Sequence, residues 1–187
     1  MNVLKRTRQV LLMLCVAAMF CAGCKKDKVR HYDLLPPDPE DVTAQGALST
    51  NIENTGGPDA TEGSTRVTDG DTGTKFLIFT YDPTFYIQLK FKVAQHIATY
   101  SLTSANDSPS RDPKDWNLSG SNDGATWTVL DTRTGETFAA RAQTNTYDFT
   151  NASSYTYYRL NITANGGSAL FQMAEWRVVN YPVTTTK

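Results

Sequence analysis

From residue 85 onward the chain is written in short stretches where apolar and polar positions alternate. Over 116–120, Trp116 and Leu118 alternate with Asn117 and Ser119. Over 127–131, Trp127 and Val129 flank Thr128. A period of two sends successive side chains to opposite faces, so each stretch predicts a half-buried strand. The same pattern, or a continuous apolar run, predicts strands over 85–93, 97–103, 144–149, 155–164 and 172–180. In 155–164, Tyr157, Tyr158, Leu160 and Ile162 supply the aromatic and β-branched bulk that packs well on a pleated surface. Clusters of Gly, Asn, Asp, Ser and Pro separate these stretches at 54–59, 69–73, 106–113, 121–124 and 165–168. Asp123-Gly124 between apolar flanks predicts a hairpin, because Gly accepts positive φ without a Cβ clash. No convincing amphipathic helix interrupts the series. Many short strands between turns predict a sandwich or barrel. Trp116, Trp127 and Trp176 are expected to face inward, with Phe138 and Phe149 adding to the core.

The pattern changes at the amino terminus. Lys5, Arg6 and Arg8 precede an apolar run from Val10 to Ala22. The run is shorter than the roughly 20 residues a bilayer demands, and it reads as a secretory signal. Cys21-Ala22-Gly23-Cys24 resembles a bacterial lipobox. That resemblance implies cleavage after Gly23 and a diacylglycerol on Cys24; an ordinary signal peptide beside a chance cysteine is the alternative. Lys25-Lys26-Asp27-Lys28 and the Pro-dense Leu34-Leu35-Pro36-Pro37-Asp38-Pro39 follow, as a charged, semi-rigid spacer. The expected organisation is a leader over 1–23, a lipidated cysteine and linker over 24–44, and one β domain over 45–183. The expected location is the bacterial outer membrane, lipid-anchored, with the periplasmic and the cell-surface leaflet both open.

Composition narrows the function classes. Lys and Arg number 18 against 19 Asp and Glu, so no basic surplus argues for a nucleic-acid partner. The three cysteines are Cys15, Cys21 and Cys24, which leaves the body without disulfide, thiolate nucleophile or cysteine metal site. His31 lies in the spacer and His96 before a strand; two isolated histidines make neither a zinc site nor a Ser–His–Asp relay. The paired carboxylates Asp112 and Asp115 sit in a turn that already explains them. The expectation is a protein that binds and does not catalyse.

Five segments, in order, resemble one family. They are Arg66-Val67-Thr68-Asp69-Gly70-Asp71-Thr72-Gly73-Thr74-Lys75-Phe76; Phe85-Tyr86-Ile87-Gln88-Leu89; the Trp116–Trp127 hairpin with Tyr157-Tyr158-Arg159-Leu160; and Gln172-Met173-Ala174-Glu175-Trp176. Together they are similar to discoidin domains, also called coagulation-factor type C domains. The resemblance implies an all-β, eight-stranded antiparallel β-sandwich of jelly-roll type, galactose-binding-like and close to family 32 carbohydrate-binding modules. It also implies a structural calcium ion held by Asp69, Asp71 and Thr74, with Glu175 closing the site and Ala174 lending its carbonyl. Calcium takes 6–8 oxygen ligands, which such a turn can supply; an Asx turn capping its own N–H groups is the alternative. Ligands in this family meet loops at one end of the sandwich. The candidates here are Asp107, Arg111 and Asp112 in the loop over 106–114, Asn165 in a second loop, Arg141, and Phe79 as an aromatic platform. Structural salt bridges for the arginines and core packing for the aromatic remain open. The implied partner is a glycan; other cell-envelope proteins docking on the same loops are the alternative.

Overall fold

The computed structural model describes residues 38–182. The leader, Cys24 and most of the linker lie outside the described residues. Eleven strands run in chain order: β1 Glu40–Asp41, β2 Ala47–Thr50, β3 Phe76–Ile78, β4 Tyr86–Gln95, β5 Ile97–Thr103, β6 Pro113–Ser121, β7 Thr128–Arg133, β8 Thr144–Asp148, β9 Tyr155–Asn165, β10 Phe171–Met173 and β11 Glu175–Asn180. They form a four-stranded sheet in the order β1-β11-β5-β8 and a five-stranded sheet in the order β2-β4-β9-β6-β7. β10 and β3 pair separately. Every pairing is antiparallel.

Alternation decides which way each sheet faces. Ile87, Leu89 and Phe91 of β4 and Tyr158, Leu160 and Ile162 of β9 point into the core. Tyr86, Gln88 and Lys90 point out, paired across to Asn161, Arg159 and Tyr157. The other sheet answers with Tyr100 and Leu102 of β5 and Trp176 and Val178 of β11, all fully buried. The sheets are pinned through the core by a polar contact. Trp116 Nε1 donates to Tyr100 Oη at 2.8 Å, and Tyr100 Oη donates to Asp131 Oδ2 at 2.7 Å. A buried Trp or Tyr without such a partner forfeits the hydration of its polar atom. Burial and this carboxylate neighbour push the Tyr100 phenol well above its usual range.

The antiparallel sandwich is the expected fold, built with extra two- to four-residue strands at its margins. Three details differ from the pattern-based reading. The sheet begins at Glu40, ahead of the expected boundary at residue 45, and Val42 and Thr43 are buried. The run over 172–180 divides at Ala174, whose N–H bonds to Thr103 O at 2.9 Å. Trp127 is not in the core. The turn after β6 is wide, because Asp123 Oδ1 accepts the N–H groups of Ala125 and Thr126 at 2.8 and 2.7 Å. Gly124 takes φ +72° there. That loop delivers Trp127 onto the outside of the sheet, and Val129 beyond it is 58% exposed.

Candidate functional site

Four connections gather at one end of the sandwich: 79–85, 104–112, 134–143 and 165–170. Backbone bonds tie them. Gly166 N donates to Asp112 O at 3.0 Å, Ser168 N to Ser110 O at 3.1 Å, Ala142 N to Ala105 O at 3.1 Å, and Tyr81 N to Ala169 O at 2.7 Å. Gly166 is required by this contact, since a Cβ there would lie 2.7 Å from Pro109 O.

Most candidate ligand residues are spent in stiffening this end. Arg141 Nη2 meets Asp112 Oδ2 at 2.6 Å, and its Nη1 donates to Asp107 O at 3.0 Å. Asp112 is 5% exposed; burial raises its carboxyl above the usual range, and the Arg141 guanidinium pulls the other way. Asp107 pairs with Lys75 Nζ at 2.8 Å, and that hydrogen bond holds its carboxyl below the usual range. Asn165 braces its own loop, donating to Ser168 O at 2.8 Å and Leu170 O at 2.7 Å. Gln172, which the sequence placed on a strand and in a family-like segment without giving it a site role, ties the β10 strand under the loop through Asp107 O at 2.6 Å and Ser108 O at 3.1 Å.

Two candidates stay available. Arg111 ends a single 3₁₀ turn over Pro109–Arg111, is only half-buried, and forms no ion pair among the described residues. Phe79 is 50% exposed, in the connection that follows β3. Phe85 is fully buried, and Tyr81 stacks on Phe171 with ring centroids 6.1 Å apart. A groove of about 350 Å³ opens at this end, lined by Pro109, Asp112, Lys114, Glu136, Phe138 and Gly166; Arg111 lies between two of these residues in sequence and is not itself part of the lining. Lys114 closes the candidate loop over 106–114 but was not itself singled out, and Glu136 lay in no recognised motif.

The turn over 69–74 meets β11 at a second place. Gly70 takes φ +83°, and its N–H donates to Glu175 Oε1 at 2.8 Å. Thr74 Oγ1 donates to Asp69 Oδ2 at 2.9 Å. Glu175 Oε2 is buried without a hydrogen-bond partner, with Arg177 Nη1 3.5 Å away. Burial, and after it the neighbouring Asp69, push the Glu175 carboxyl up to about 7. Asp71 turns its carboxylate to its own turn, accepting Gly73 N–H at 2.8 Å. Among the described residues no three His, Cys, Asp or Glu side chains already stand in a metal-binding group. What converges is two carboxylates and one hydroxyl, with Arg177 Nη1 3.5 Å from Glu175 Oε2 and Arg66 Nη1 3.6 Å from Asp69 Oδ2. That donor set suits a hard cation completed by carbonyls and water.

The model of the F5/8 type C domain matches residues 47–176. A 55-residue segment is 54% identical to part of a peptide-N(4)-(N-acetyl-β-glucosaminyl)asparagine amidase from Arabidopsis thaliana; it spans 29% of this chain and only 8% of that protein. Among solved structures, an F5/8 type C domain from Bacteroides fragilis superposes with a TM-score of 0.63 at 13% identity, covering 79% of this chain and all of that one. A family 32 module from Clostridium perfringens, solved in complex with GalNAc-β-1,3-galactose, superposes with a TM-score of 0.60 at 16% identity over 74% of this chain and 99% of that one. Another from the same organism, in complex with galactose, gives 0.60 at 11% identity over 76% of this chain.

Proposed function

The chain belongs to the F5/8 type C domain family, and from that premise we propose that it is a non-catalytic glycan-binding lipoprotein of the bacterial cell envelope. One observation carries the reading. At the loop end, where Asp107, Asp112 and Arg141 are consumed by ion pairs, Arg111 forms no ion pair among the described residues, its neighbours Pro109 and Asp112 line an open groove, and Phe79 is exposed in another connection of the same end. A guanidinium fork takes sugar hydroxyls in pairs, and an exposed ring takes the apolar C–H face of a pyranose. The surrounding ion pairs hold the loops still before the ligand arrives, which lowers the ordering cost of binding. Affinity for a single sugar is modest, because each hydroxyl exchanges one partner in water for one in the site.

The same reading gives Cys24 a lipid, so that the domain works at a membrane surface. It also gives the turn over 69–74 a structural calcium ion. Asp69, Thr74 and Glu175 would hold it, with Ala174 O and the carbonyls of the turn completing the shell; Asp71 contributes from the turn itself. Bound only by the folded form, the ion would tie the first long loop to β11 and stabilise the sandwich by mass action.

The test is a glycan array probed with the protein in calcium and again in EDTA. A specific glycan that is lost in Arg111→Ala supports the reading. Silence across a broad array, from a folded sample in calcium, overturns it in favour of a module that docks another envelope protein.

A further inference from the structure

The outer face of the five-stranded sheet carries a second constellation, away from the loop end. Arg159 on β9 lies between two rings, with Cζ 3.9 Å from the centroid of Tyr86 and 3.9 Å from that of Trp127. Its Nε and Nη2 both donate to Gln88 Oε1, at 3.1 and 2.8 Å. Trp127 meets Tyr157 edge to face at 6.3 Å, and Lys90 Nζ stands 5.3 Å over the Tyr157 ring. The register sets these groups in three rows: Tyr86, Asn161 and Asn117; Gln88, Arg159 and Ser119; Lys90, Tyr157 and Ser121. No Asp or Glu falls in any row. On a chain with a net charge of −1, those rows, with Trp127, hold two cations beside three rings and three amides; Asp123, in the turn that abuts Tyr157, lies outside them and spends Oδ1 on the N–H groups of Ala125 and Thr126.

Core packing does not account for this arrangement. Trp127 is withdrawn from the core, where Trp116 and Trp176 are 1% and 0% exposed. A stacked, doubly hydrogen-bonded arginine is fixed in place, so its remaining N–H groups meet a ligand at little ordering cost. We propose that this face is a second glycan site, for an oligosaccharide bearing carboxylate or sulfate groups. Arg159 and Lys90 pair with the anionic groups, the edges of Trp127 and Tyr157 pack against sugar C–H, and Asn117 and Asn161 take hydroxyls. The proposal is independent of the loop site, because Arg111 plays no part in it.

The position of Trp127 provides the probe. With the other two tryptophans buried, fluorescence responds chiefly to events on this face. The full chain is titrated with oligogalacturonate for carboxylates, with sulfated dextran oligomers for sulfates, and with maltohexaose as the uncharged control. The expected result is a saturable fluorescence change with at least one acidic oligomer and none with maltohexaose. Binding should weaken about tenfold, corresponding to about 1.4 kcal/mol, in Lys90→Gln and in Arg159→Gln, and hold in Arg111→Ala. Lys90 is exposed, so its variant isolates binding from folding even if Arg159→Gln loosens the sheet. The proposal is overturned if neither acidic oligomer changes the signal, or if maltohexaose binds equally. It is overturned equally if binding disappears in Arg111→Ala but survives Lys90→Gln.

Discussion

Replacing Glu175 by Gln should shift stability in opposite directions depending on calcium. Glu175 is 2% exposed, and Gly70 N–H satisfies only one of its oxygens. Burial raises its carboxyl from 4.5 to about 7. A carboxyl whose folded value lies above its unfolded one adds full stability only below about pH 4.5, and that contribution is lost as pH rises through about 7. At 1.36 kcal/mol per pH unit, the gap amounts to about 3 kcal/mol. For a domain of this size 1 kcal/mol moves Tm by about 2–4 °C, so the effect is roughly 10 °C. In EDTA the wild-type Tm should therefore fall between about pH 5 and pH 8.5 relative to that of Glu175→Gln, whose amide keeps the Gly70 bond and carries no charge. The variant should be the more stable of the two above about pH 7. In millimolar calcium the order should reverse, because a bound cation offsets both carboxylates and only the wild type offers both. Differential scanning fluorimetry across that range, with and without calcium, measures this directly. Parallel pH profiles in EDTA would refute the account of the buried charge. Profiles that calcium leaves unmoved would refute the cation.

Arg141→Ala should strand the Asp112 carboxylate beneath its loop, costing about 3 kcal/mol in urea denaturation. Arg111→Ala, with no ion pair to lose, should stay within about 0.5 kcal/mol of wild type. Gly166→Ala places a Cβ 2.7 Å from Pro109 O and 2.8 Å from Ser110 Cα; it should cost about 1–3 kcal/mol and increase hydrogen exchange at Gly166 and Ser168 if the two loops part. Cys24→Ser should abolish metabolic labelling with palmitate and release the protein from membranes; retained label would refute the anchor.

The division between what was legible in the chain and what was not follows from the range of the forces involved. The seven longer strands announce themselves because alternation is local and burial on one face enforces it, as in Ile87-Gln88-Leu89 and Tyr158-Arg159-Leu160. β1 has two exposed polar residues and exists because β11 offers an open edge, a fact no window of sequence contains. Trp127 misleads for a related reason. Its spacing from Val129 fits a strand, but Asp123 caps two N–H groups and widens the turn, so the register of β7 starts one residue later than alternation implies.

The loop end shows the same limit for charge. Residue type marks Asp107, Arg111, Asp112 and Arg141 as candidates with binding chemistry. Which of them keeps that chemistry depends on pairings at long separation: Arg141 with Asp112, and Lys75 with Asp107. Loop packing makes those pairs, and a charge that packing has paired is no longer free to pay the desolvation cost of binding a sugar. Arg111, without an ion pair among the described residues, therefore argues for recognition more strongly than the number of polar residues around it. The same test applied to the sheet face singles out Arg159, whose partners are two rings and an amide: its charge is oriented but not neutralised. A cation held in that state meets an anionic ligand without first losing a partner, and it does so on a face in which Arg111 takes no part.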